Sequence, residues 1–139
     1  MDPLSIIFSI MGVAGVVAAA VRKVQEVRGA TAALNSLSNE VSDLIVVLQA
    51  MEDALKDTIN RPSLRRETDL IPVAQSIRSK LQNIEEQITQ WTRSSSVKKH
   101  SIDPRRMNRL RLSSKANLIK DEVRTMRLQL MTILNAVVV

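Results

Sequence analysis

The sequence predicts an all-α fold, an antiparallel bundle of four or five helices with an apolar N-terminal helix packed centrally. Three observations carry that prediction. Three segments place apolar residues at alternating steps of three and four, the spacing of one helix face. Residues that strands and tight turns need are scarce, with one Phe, one Trp, no Tyr and three Gly in 139 residues,. Finally, Leu4 to Val21 carries no charge, and a helix apolar on every side must be buried in protein or in lipid.

The first helix starts at Asp2-Pro3, an N-cap residue followed by proline at the first helical position, where its missing N–H costs nothing. It can run to Arg28, with Gly29 as the stop,. The second starts near Thr31 and carries the seam Leu34, Leu37, Val41, Leu44, Leu48, Met51 and Leu55, ending before Pro62. The third starts between Thr68 and Pro72, because proline is tolerated in a first turn and not deep inside a helix. Its seam is Leu70, Ala74, Ile77, Leu81, Ile84, Ile88 and Trp91, with Trp91 expected to plug the end of the core.

Residues 92–102, TRSSSVKKHSI, have no apolar period and read as a solvated loop,. Asp103-Pro104 then repeats the opening start signal. The fourth helix carries Leu112, Ala116, Ile119, Val123, Met126, Leu130, Ile133 and Val137. The whole of 1–139 reads as one domain. With no cysteine there is no disulfide framework and no thiolate zinc site, which favours a cytoplasmic setting,.

The uncharged opening run admits three readings. A secretory signal would begin with positive charge, whereas the only charge ahead of the run is Asp2,. As a membrane span, its 18 residues reach about 27 Å against a hydrocarbon core of about 30 Å. As a core helix, its small residues Ser5, Ser9, Gly12 and Gly15 would let neighbouring helices approach closely. The last two are compatible, since protein core and lipid are both dry. A helix of this kind can be core in one state and inserted in another.

The opening MDPLSIIFSIMGVAGVVAAAV and the stretch LNSLSNEVSDLIVVLQAMEDAL, residues 34–55, resemble the HeLo-like domain that fungal STAND proteins carry ahead of a NACHT or other nucleotide-binding module. The final helix, RLRLSSKANLIKDEVRTMRLQLMTIL, is similar to the last helix of that family in length and charge pattern. The resemblance implies an all-α bundle of the kind found in fungal cell-death effectors, acting as the effector or signalling domain of a STAND-type immune receptor. It further implies homo-oligomerisation on activation and movement from the cytoplasm to the plasma membrane. The inserting residues would be Leu4, Ile6, Ile7, Phe8, Ile10, Met11, Val13, Val16, Val17 and Val21. The alternative is a non-lytic adaptor that self-associates or recruits a partner.

Charge is unevenly spread. Residues 93–127 hold eleven basic and three acidic side chains, a balance of +8, whereas residues 1–92 balance to −2. Lys98, Lys99, Arg105, Arg106, Arg109, Arg111 and Lys115 form a basic stretch whose expected partner is anionic lipid, at about 1 kcal/mol per cation near the surface. Nucleic acid fits poorly, because single-strand binding uses aromatic platforms and only Phe8 and Trp91 are present,. No catalytic residue, metal, cofactor or small-molecule substrate is expected. The one histidine, His100, lies between Lys99 and Ser101 in the loop, and the adjacent Glu85 and Glu86 point to different sides of a helix,. The run Arg93-Ser94-Ser95-Ser96 could accept a phosphate that offsets the basic loop.

Overall fold

The computed structural model describes the backbone of residues 3–58, 67–93 and 104–138, and the side chains of residues 3–57, 70–92 and 111–135. Four helices account for it: α1 (Pro3–Arg28), α2 (Ala32–Thr58), α3 (Glu67–Arg93) and α4 (Pro104–Val138). The chain folds as an all-α helical bundle, as its periodicity predicts. Pro3 and Pro104 both open helices, whereas Asp2 and Asp103 lie outside the described residues, as do 94–102 of the expected loop, His100 and the three serines included.

The α1–α2 turn shows why so short a connection suffices. Gly29 sits at φ +88°, the left-handed region in which a side chain is strained. Its N–H donates to the Gln25 carbonyl at 2.9 Å, which satisfies one of the orphan carbonyls at the end of α1,. Two residues later Thr31 caps α2: its hydroxyl accepts from the Leu34 N–H at 3.3 Å and its carbonyl from Asn35 N–H at 2.9 Å,. The chain thus reverses within three residues, so α1 and α2 are antiparallel neighbours. Gln25 Nε2 donates across the turn to Asn35 Oδ1 at 2.9 Å.

Every seam residue expected in α2 and α3 is buried, and in α4 the seam is buried from Leu112 to Leu130. Ile133 is partly buried, and the Val137 side chain lies outside the described residues. Trp91 does plug the core end, and its carbonyl accepts from Arg28 Nη2 at 2.8 Å and Nε at 3.2 Å. That pair fixes the C-terminal ends of α1 and α3 at the same end of the bundle. Helix α3 begins at Glu67, one residue ahead of the expected window, and Pro72 stands on its exposed side in the second turn.

Helix α1 is packed between α3 and α2, with no close backbone approach to α4 among the described residues. Helix α4 packs on α2 and touches α3 only sparingly. The helices therefore stand in the order α3, α1, α2, α4, with a loose contact closing the ring. One expectation for α1 changes: the small residues do not serve close approach. Gly12 and Gly15 are exposed, and a Cβ placed on either meets nothing within 4 Å. The packed face is Ile6, Ile7, Ile10, Ala14, Val17, Val21 and Val24, which the branched residues fill without needing glycine.

The glycines consequently divide by sign. Gly29→Ala is expected to cost about 1–2 kcal/mol through left-handed strain. Gly12→Ala and Gly15→Ala are each expected to stabilise by about 0.5–1 kcal/mol through helix propensity. Denaturant unfolding of the three single variants checks the prediction, and equal signs for Gly12 and Gly29 would overturn it.

Candidate functional site

Because only one side of α1 is packed, the other side offers apolar surface to solvent. One third of its apolar 18-residue run is buried. Phe8 (47% exposed) and Val16 (53% exposed) stand two turns apart on the open side, with Gly12 between them, at spacings that put all three in one line,. Arg22 and Lys23, both exposed, end the run. No charge-free helix of this length is needed to fill a one-sided core, so the apolarity of the outer side is unexplained by packing.

The residues expected to insert therefore fall into three groups. Ile6, Ile7, Ile10, Val17 and Val21 are buried; Leu4, Met11 and Val13 are partly buried; Phe8 and Val16 are exposed. Helix α1 is long and apolar enough to cross a membrane. Half of the residues named for insertion are thus part of the bundle core, and only two are directly presented.

A groove runs along this open side. Phe8, Ser9, Gly12, Val13 and Val16 of α1 form one wall and Gln82 and Glu85 of α3 the other, enclosing about 400 Å³. At its Phe8 end, Lys56 Nζ of α2 lies 5.9 Å from the ring centroid, within cation–π range,. Lys56 also pairs with Glu52 Oε1 at 2.8 Å. That hydrogen bond, and the Glu52 charge behind it, raise the Lys56 pKa above its ordinary value of 10.5. Glu85 lines the groove and accepts from the Thr89 hydroxyl at 3.2 Å, while Glu86 faces solvent, so the two carboxylates do diverge.

The basic stretch is reached only in part. Arg111 and Lys115 are exposed on α4, one turn apart. Arg105, Arg106 and Arg109 fall in the first turns of α4, but their side chains, together with Lys98 and Lys99, lie outside the described residues. Among the described residues no cluster of His, Cys, Asp and Glu could hold a metal ion.

An arrangement absent from the sequence reading is the pairing of Glu40 with two arginines of α4. Glu40 is 6% exposed, the single buried polar or charged residue among those described. Its Oε1 accepts a hydrogen bond from Arg127 Nε at 3.2 Å and is ion-paired with Arg127 Nη2 at 3.1 Å and Arg124 Nε at 3.4 Å. A signal was present: Glu40 is three residues after Leu37 and four before Leu44, on the seam side of α2, where an acidic residue needs a partner.

Comparisons with protein-family models, with curated proteins and with solved structures find no match to this chain.

The two-sidedness of α1 has a measurable signature in stability. Phe8→Ala is expected to cost no more than about 1 kcal/mol, the scale of an exposed cation–π contact. Ile10→Ala, on the packed side, is expected to cost about 2–5 kcal/mol. Urea titration followed by circular dichroism distinguishes them, and a Phe8→Ala loss as large as that of Ile10→Ala would show the outer side to be packed.

Proposed function

We propose that this chain is the N-terminal effector or signalling domain of a STAND-type immune receptor, inducing cell death by oligomerisation and membrane targeting through α1. The observation that carries the reading is α1 itself, charge-free over 18 residues and apolar on both its packed and its open side. The resemblance of residues 1–21 and 34–55 to the HeLo-like domain supplies the receptor context.

Energetics set the order of events. Helix α1 contributes seven buried side chains to the core. Six of these are Ile or Val, and at about 1.5–3 kcal/mol for each, stripping them into water would cost roughly 9–18 kcal/mol, comparable to the whole stability of a typical domain. Release is therefore feasible only if lipid receives α1 while other copies cover the seams of α2 and α3 that it leaves bare. Clustering of several domains at a bilayer meets both needs, whereas a lone domain in solution meets neither. Arg111 and Lys115, with Arg22 and Lys23 at the end of the apolar run, would add attraction to an anionic surface.

A second reading, a non-lytic adaptor that recruits a partner, draws on Val46 of α2 and on Leu118 and Leu128 of α4, which are half exposed or more and stand on helices away from the α1 groove. Charge reversal at Arg111 and Lys115 leaves an adaptor's signalling intact and weakens membrane recruitment of an effector.

Deleting α1 would remove a quarter of the core, so the test uses its open side. Dye release from anionic phosphatidylserine vesicles is measured for the domain clustered on an oligomeric scaffold, alone and with Phe8→Asp plus Val16→Asp. Clustered wild type is expected to leak dye and the double variant to lose most of that leakage, with circular dichroism unchanged. No leakage from the clustered wild type, or equal leakage from both, sinks the membrane mechanism.

A further inference from the structure

The Glu40 cluster has a place in the fold that goes beyond the membrane reading and does not depend on it. Helix α1 is held on two sides, by α3 and α2, and α2 is likewise held by α1 and α4. Helices α3 and α4 each have one full neighbour, α1 and α2 respectively, and only a sparse contact with each other. The polar tie across the α2–α4 interface is Glu40 with Arg127 and Arg124, which stand three residues apart and so reach the same carboxylate from adjacent turns,. Both arginines direct their groups at one oxygen, Oε1.

We propose that Glu40 is a latch holding α4 against α2, and that α4 leaves the bundle as a unit when the latch opens. The physics is that of a paired buried charge. While both arginines are in place, the carboxylate is compensated. Once α4 lifts away, Glu40 is solvated from the side α4 vacates, and Arg124 and Arg127, 53% and 21% exposed as side chains, already lie partly in water. Opening therefore strands no charge in an apolar interior, and a charged cluster controls this seam, whereas the buried residues of the α1–α3 seam are apolar. The apolar seam from Leu112 to Leu130 supplies attraction along the interface. The charged cluster supplies register, the best-attested role of buried ionic groups between helices.

Native-state hydrogen exchange, read by mass spectrometry of peptic fragments, tests the latch. In wild type, amides of α4 are expected to exchange through an opening in which α1, α2 and α3 stay protected. Glu40→Gln, which keeps the shape and removes the charge, is expected to speed α4 exchange by about tenfold to a hundredfold, with little change in α1. Glu40→Lys should exceed this, and the swap Glu40→Lys with Arg127→Glu and Arg124→Glu should restore protection towards wild type. Should Glu40→Lys fail to fold, Glu40→Gln and the swapped variant still decide the matter. Unchanged α4 exchange in Glu40→Gln, exchange rising equally in all four helices, or earlier loss of α1 than of α4 would each overturn the proposal.

Discussion

Because α3 leans on α1 and α4 leans on α2, the close antiparallel contact between α1 and α2 is what the remaining structure hangs from. Three residues make that contact obligatory. A left-handed glycine ends one helix, a threonine hydroxyl starts the next, and no length is left for the chain to place α2 anywhere but beside α1. Once the pair is set, each partner has a remaining apolar edge: α1 offers one to α3 and α2 offers one to α4. The order α3, α1, α2, α4 is the outcome of satisfying those two edges, and the α3–α4 contact is the weak closure left over.

The helices and their seams were legible in the sequence because a one-sided apolar pattern names both the element and the side that packs. All seven positions in α2 and all seven in α3 were of this kind. Helix α1 defeated the same logic, since a helix apolar everywhere names no side. Its packing side is decided by shape, with Ile6, Ile7, Ile10, Val17 and Val21 interlocking and the glycines left outside. The groove walls Gln82 and Glu85 were illegible for a related reason, being ordinary polar residues until α3 is placed beside α1. Glu40 was legible in principle, as an acid on a seam, but its partners lie 84 and 87 positions away and depend on which helix α2 chooses.

That pairing also redraws the charge map. Two of the eleven cations among residues 93–127, Arg124 and Arg127, are engaged with a carboxylate from the acidic part of the chain. The segment's surplus therefore mixes two kinds of cation: those that tie α4 to α2 through Glu40 and those, such as Arg111 and Lys115, that face solvent only. Counting charge along the sequence merges the two. Only the second kind can act on a surface outside the molecule, so the electrostatic footprint of the domain is smaller and more localised than its +8 segment implies.

The position of Trp91 gives the molecule an optical property. It is the single indole in the chain, shut away from water at the shared end of α1 and α3, with the guanidinium of Arg28 bound to its own carbonyl. Its fluorescence consequently reports on that end of the bundle, without label or background. A colour change in its emission marks parting at that end, while events confined to the outer face of α2 leave the spectrum where it was.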